Sequence, residues 1–271
     1  MTLAAANVFV KAGGDILMGR AALQLWGALI SLPLALTLAP LPDARTWGML
    51  ALAAPAHFLY QMALIQALRR ADLSVVFPIM RGGAPLLTAL VAYAALQEAL
   101  SAAALLGLAI AGAAAIAFAW PEQLPPADSA KRRAALFWAL ATAGGIALYN
   151  VVDAVGVRGA PSPLTFILWL FIVDWVGVTA FAALTRRRTF FADLKAKARF
   201  GLAGGVLSMV SYGLALYGFS IAPVAQVSAL RETSVVFAAL MAAVWLKEPF
   251  GLRRGAWALV MAAGLGLLRL A

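Results

Sequence analysis

Two arginines, Arg81 and Arg231, lie inside long apolar runs and stand 150 residues apart. An ionised side chain at the centre of a membrane helix costs about 2.5–3.5 kcal/mol on insertion scales, so it normally faces a partner or a wet cavity. Arg81 is nine residues beyond Asp72, where its run opens. That is a rise of about 13 Å, close to a bilayer midplane. A guanidinium presents a planar fork to a carboxylate, which makes Arg81 and Arg231 candidates for holding an anionic solute. The structural alternative is an ion pair, or bonds to carbonyls of a neighbouring helix.

Around Arg231 the sequence adds Gln226, Ser228 and Glu232. Glu232 follows Arg231 directly and so points about 100° away around a helix, which makes the two poor partners for each other. A carboxylate held in a cavity can carry a proton during transport, and Glu232 is one such candidate. Its alternative is a pair with an arginine of another helix. Tyr149, Asn150 and Asp153 form a second cluster at i, i+1, i+4. Asp153 is a further proton-carrier candidate, or else a partner for Arg158 about a turn away. Asp174, between Val173 and Trp175, has no polar neighbour one turn away on its own helix and ranks below the other two carboxylates. The lone histidine, His57, is in line with Tyr60 and Gln61. It can titrate near neutral pH and couple or gate transport; the commoner fate of such a residue is a bond to a neighbouring helix carbonyl. Tyr60 and Tyr212 are read as aromatic walls that offer a hydroxyl to a solute.

The elements that must position these groups are membrane spans. Of 271 residues, 64% are apolar and 12% charged, too little charge to cover a soluble domain of this size. At about 20 residues per crossing, nine or ten spans would occupy roughly 200 residues, which leaves no room for a separate soluble catalytic or DNA-binding domain. The apolar runs cover residues 16–39, 47–68, 73–97, 100–120, 134–157, 163–184, 200–221, 223–246 and 251–270, preceded by a short stretch, Met1 to Val10, of about half a span. That stretch lacks the basic start and cleavage site of a signal peptide. Turn chemistry marks the breaks, as in Pro40-Leu41-Pro42-Asp43 and Pro161-Ser162-Pro163. Trp47, Trp120, Trp138 and Trp245 sit near run ends, where an indole prefers the headgroup level.

The formal charge of +10 falls in short clusters between spans, a pattern of membrane anchoring rather than nucleic-acid binding. Most of these residues occupy alternate connections, such as Arg69-Arg70, Lys131-Arg132-Arg133 and Arg186-Arg187-Arg188. The positive-inside rule puts those connections in the cytoplasm and the C-terminus outside. With no cysteine and one histidine, no metal site, no cofactor and no enzymatic function is expected. A lipid-modifying enzyme would need a nucleophile with a base or a metal cluster.

The chain also repeats. A shift of 150 residues pairs Arg81 with Arg231, Ala89-Leu90 with Ala239-Leu240, Leu96 with Leu246 and Glu98 with Glu248 without a gap. A shift of 151 pairs His57, Tyr60 and Gln61 with Ser208, Ser211 and Tyr212, each trio forming one stripe on a helix. The expectation is an all-α polytopic membrane protein of two five-helix repeats, residues 1–126 and 127–271, with the first helix short. An odd number of crossings per half inverts the second half relative to the first, as in many alternating-access transporters. Glycine doublets at Gly82-Gly83, Gly144-Gly145 and Gly204-Gly205, with Gly201 before the last, permit close helix packing.

The run Asn7 to Asp15, the segments Asp72 to Pro85 and Ala222 to Ser234, and the acidic residues Glu98 and Glu248 together resemble the drug/metabolite transporter superfamily, in particular its EamA-type exporters. The resemblance spans nearly the whole chain. It implies ten helices in a 5+5 arrangement, with both termini cytoplasmic, opposite to the orientation that the loop charges favour. It implies export of a small organic solute by alternating access and says little about which one; the two arginines favour an anionic or zwitterionic metabolite, such as an amino acid or other carboxylate, over a cationic drug. The solute cavity would be central, between the repeats, and lined by the runs at 47–68, 73–97, 134–157, 200–221 and 223–246. Candidate solute contacts are Arg81, Arg231, Tyr60, Gln61, Tyr149, Asn150, Ser211, Tyr212, Gln226 and Ser228. Protons are the candidate coupling ion, through Glu232, Asp153, His57 or Asp174. The partners are a small solute and the lipid bilayer of a bacterial-type inner membrane, with no nucleic acid; monomer and homodimer stay open. The competing readings are an exporter of cationic drugs and a non-transporting sensor or assembly partner.

Overall fold

A computed structural model describes residues 15–70, 73–119, 129–245 and 252–270. The opening stretch Met1 to Val10 and the acidic residue Glu248 lie outside the described residues. Every regular element among those described is helical: α1 (Ile16–Leu38), α2 (Ala44–Arg70), α3 (Leu73–Leu96), α4 (Ala102–Ala119), α5 (Ser129–Gly159), α6 (Pro163–Arg186), a single 3₁₀ turn (Arg187–Thr189), the short α7 (Phe190–Ala196), α8 (Ala198–Ile221), α9 (Val224–Trp245) and α10 (Leu252–Leu270). Six apolar segments, falling in α1, α2, α3, α5, α6 and α8, are long enough to cross a bilayer. Ala102–Phe118 in α4 is apolar but shorter. The chain is an all-α polytopic membrane protein.

Helix boundaries follow the turn residues. Asp15 Oδ1 accepts from the amides of Leu17 and Met18 at 3.1 and 3.2 Å, capping α1, while its other carboxylate oxygen pairs with Arg186. Asp43 accepts from the Thr46 amide at 2.8 Å at the start of α2. Ser101 does the same for α4 and Ser162, followed by Pro163, for α6. At the other end of α3, Gln97 takes φ 57°, a left-handed conformation that costs a non-glycine residue roughly 1–2 kcal/mol. The turn it makes is followed by Glu98, whose Oε2 accepts from the Val224 amide at 2.9 Å at the start of α9. An acid at a helix N-terminus both satisfies an unbonded amide and complements the dipole.

The chain condenses into two compact units. One contains residues 1–58 and 152–221 and the other residues 59–151 and 222–271, so α2 and α5 each contribute to both. In the first unit, α1 packs against α6 and α8. Gly201 and Gly205 of α8 lie against α1 so closely that a Cβ at Gly205 would stand 2.9 Å from the Leu23 carbonyl oxygen. In the second, α4 packs against α10 and α3, and α9 joins α3 and α10. Its core is built from Ala104, Leu108, Ala111, Ala115, Met261, Leu265 and Leu268. Small residues carry this interface because lipid tails give helices no hydrophobic reason to associate, so close backbone approach and dispersion must supply the attraction. Outward faces are greasy: Leu29, Leu36, Leu59, Leu90, Leu184 and Leu214 are all more than half exposed, as lipid-facing side chains should be.

At the tightest crossing, a Cβ added to Gly107 would meet the Gly264 carbonyl oxygen at 2.6 Å, and one added to Gly264 would meet the Ala111 nitrogen at 2.7 Å. Backbone cannot yield as a flexible side chain would. Gly107→Val should therefore separate α4 from α10 and destabilise the protein by about 1–3 kcal/mol. Thermal unfolding in detergent checks this: Gly266→Val, where an added Cβ meets nothing within 4 Å, should stay near the parent.

Candidate functional site

Buried polar groups gather into two networks, one in each unit. In the second unit, Arg81 on α3 and Glu232 on α9 form an ion pair, Nη1 to Oε1 3.2 Å, with both residues less than 10% exposed. The partner of Glu232 is thus an arginine of another helix, the structural alternative that the sequence allowed. Arg231 turns to α5, where its Nη1 donates to Asn150 Oδ1 at 3.4 Å. Asn150 Nδ2 faces Thr88 Oγ1 at 3.3 Å and Ser228 Oγ at 3.4 Å. These bonds are long for N–H···O contacts and correspondingly weak. The charge of Arg231 also acts on Glu232. Glu232 Oε2 has no hydrogen-bond partner among the described residues.

In the same unit, Tyr60 and Tyr149 pack edge to face, with ring centroids 5.0 Å apart. The backbone beneath them is tight, since a Cβ at Gly145 would lie 3.0 Å from Tyr60 Cα. Gln61 is buried, and its Oε1 has no hydrogen-bond partner among the described residues. Gln226 is half-buried on α9 and joins neither network.

The first unit holds the second network. His57 Nε2 lies 2.8 Å from Asp153 Oδ2 and His57 Nδ1 lies 3.8 Å from Asp174 Oδ1. Tyr212 donates to Asp153 Oδ2 at 2.5 Å, and Gln24 Nε2 donates to Asp174 Oδ2 at 2.7 Å. Asp153 is fully buried and His57 nearly so. The rings of His57 and Tyr212 meet edge to face at 5.7 Å.

The structure adds partners from other helices. His57 lies within hydrogen-bonding distance of a carboxylate, Asp153. Asp153 also accepts from the Tyr212 hydroxyl, while Arg158 Nε donates to the Phe219 carbonyl at 2.7 Å. Asp174, ranked last for want of polar neighbours on its own helix, finds them on α1 and α2. Ser211, half-buried on α8, belongs to neither network, and the His57, Tyr60, Gln61 stripe is divided, His57 serving one unit and the other two the second. Sequence reasoning missed Gln24 and Thr88. Gln24 had one signal, since it stands 150 residues before Asp174, the same offset that relates Arg81 to Arg231.

An all-helical chain with apolar spans and buried, mutually compensating charges inside them belongs to the class of polytopic membrane transport proteins. The profile of the EamA-like transporter family matches residues 133–270, and the chain belongs to that family. A solved structure titled "Crystal structure of protein" superposes with a TM-score of 0.72 over 99% of this chain and 94% of its own, at 14% sequence identity. That likeness establishes the fold. Comparison with curated protein sequences finds no match.

The Arg81–Glu232 pair makes a prediction of its own. Removing one partner of a buried pair leaves an uncompensated charge and typically costs about 3–5 kcal/mol, whereas replacing both by apolar groups is often near neutral. Arg81→Met and Glu232→Leu should each lower unfolding stability in detergent by about that amount, while the double variant recovers most of the loss. Additive losses would show that the two side chains do not compensate each other.

Proposed function

We propose that the protein is a secondary active transporter that exports a small organic metabolite carrying a carboxylate, such as an amino acid, from a bacterial-type cell across its inner membrane. The observation that carries this reading is the excess of one positive charge in the Arg81, Glu232, Arg231 network, held within apolar helices. A buried cationic excess favours an anionic or zwitterionic solute and disfavours a cationic drug, which would meet like charge in a medium that screens poorly.

In this reading Arg231 is the anchor. Its contact to Asn150 is 3.4 Å long, so a solute carboxylate offering two acceptors at shorter range would displace the amide with little loss. Asn150, Ser228 and Thr88 would then be free to bond the solute's polar groups. The Tyr60–Tyr149 pair supplies an aromatic wall, and Gln61 offers an acceptor to a solute ammonium. Arg81 holds Glu232 in place through their 3.2 Å contact.

Transport would proceed by alternating access between two inverted five-helix repeats, residues 1–126 and 127–271. Support comes from packing: α1 against α6, α3 against α9 and α4 against α10 are pairs that the 150-residue shift places in correspondence. The proton is the proposed coupling ion. An enzyme would need a reacting set that neither network resembles. A sensor would bind solute without moving it.

Flux of radiolabelled amino acids into proteoliposomes tests the reading directly. Charge-assisted bonds of the kind Arg231 would make contribute about 1.5–3 kcal/mol, so Arg231→Ala should reduce kcat/KM by roughly ten- to a hundredfold. Arg231→Lys, which keeps the charge but not the fork, should fall between. Parental flux in folded Arg231→Ala and Arg81→Ala variants would remove the site assignment, and solute binding without flux would favour a sensor.

A further inference from the structure

The geometry points to a one-proton binding site made of His57, Asp153 and Asp174, distinct from the arginine network and serving as the coupling site of the transporter proposed above. Its mechanistic meaning rests on that reading; its existence as a proton site does not. Both ring nitrogens of His57 face carboxylate oxygens, Nε2 toward Asp153 at 2.8 Å and Nδ1 toward Asp174 at 3.8 Å. A neutral imidazole has one N–H and one lone pair, so it can donate to only one of them. With the N–H on Nε2, the Nδ1 lone pair faces the Asp174 carboxylate. An imidazolium donates to both.

The charges around the ring give the same answer. From α1, Arg20 acts on Asp174 through its charge, and Gln24 donates to the Asp174 oxygen remote from His57. From α8, the Tyr212 hydroxyl donates to Asp153. From α5 comes Asp153 itself, and Arg158 beyond it donates to the Phe219 carbonyl. Two carboxylates stand beside the one ring, and a proton on His57 offsets part of their charge. Asp174 Oδ1, the atom facing Nδ1, has no hydrogen-bond partner among the described residues. Loaded with a proton, the ring can claim it once the separation closes by about 1 Å, from 3.8 Å to hydrogen-bonding range.

Closing that distance falls to the two side chains, because the helices that bear them already meet. Gly177, three residues after Asp174 and on the same helix face, lies against Phe58, the neighbour of His57; a Cβ there would stand 2.9 Å from the Phe58 ring. Proton loading therefore adds a charge-assisted bond between α6 and α2, and proton loss removes it. Glu232 is a poorer coupling site because it is already paired with Arg81 at 3.2 Å.

His57 is the only histidine in the chain, so isotopic labelling reports on it without ambiguity. The full chain, labelled with ¹⁵N-histidine, purified through a histidine-free tag and placed in lipid nanodiscs, should show one imidazole passing from imidazolium to neutral between about pH 5 and 9. In Asp174→Asn one of the two carboxylates beside the ring is gone, so the imidazolium should disappear at a pH lower by about one unit or more. A ring that stays in one protonation state across the range, or a titration unmoved in Asp174→Asn and in Asp153→Asn, overturns the proposal. The titration of the parent chain decides the first point even where a variant does not fold. Flux of labelled amino acids then separates the two readings. In the parent it should respond to an imposed pH gradient, and in Asp174→Asn it should be indifferent to it. A titrating His57 in a protein that moves no amino acid would count against the transporter reading while leaving the proton site standing. Flux equally sensitive to the gradient in parent and Asp174→Asn would remove the coupling role.

Discussion

Charge inside an apolar helix must be answered from a different helix. Within one helix, a residue's close neighbours are three or four positions away, and around Arg81, Asp153 and Asp174 none of those positions holds a charged residue. Arg81 is therefore answered from α9, Asp174 from α1 and α2, and Asp153 from α2 and α8. Each answer ties together helices that have no hydrophobic reason to associate once lipid surrounds them. The polar networks are thus structural members as well as candidate sites, and any solute or proton that enters one of them alters a helix–helix contact at the same time.

The small residues are the second half of that arrangement. Guanidinium and carboxylate groups meet at hydrogen-bonding distance only where helix axes come close, and the glycines at Gly107 and Gly264 in one unit and Gly201 and Gly205 in the other permit contact at backbone level. These crossings leave no slack for a Cβ. The polar contacts around Asn150 on α5 are looser by comparison, with three donor–acceptor distances of 3.3–3.4 Å, whereas Asp153 on the same helix is held at 2.8 Å by His57 and 2.5 Å by Tyr212.

The sequence carried the helices, the apolar runs and the two arginines, because these depend on composition, length and a repeat that a shift of the chain exposes. Partnership was not legible. Nothing near Asp174 along its own helix reveals Gln24, and the roles of Tyr212 and His57 were assigned from residue type when their outcome was set by Asp153, far off in the chain. The Arg81 and Glu232 pairing was open as an alternative but not decided, since a helical face is defined by sequence while the helix it meets is not. Glu98 stood out as a repeated acid, yet its work at the start of α9 depends on the turn at Gln97, whose φ of 57° no residue preference would have suggested.

The two networks have opposite electrostatic sense, and this bears on how one protein can handle a solute and a proton without their competing. Arg81, Arg231 and Glu232 leave a positive excess that an anion would cancel. Asp153 and Asp174 stand beside His57, where a proton would offset part of their charge. In an apolar surrounding each network is most stable when neutral. A carboxylate would be driven from the histidine network by like charge, and Glu232 is already paired with Arg81. Specificity for the two species then follows from charge balance before any fine shape complementarity is invoked. The helices that carry both sets supply the connection: α5 bears Asn150 of one network and Asp153 of the other, and α2 bears His57 and, four residues on, Gln61.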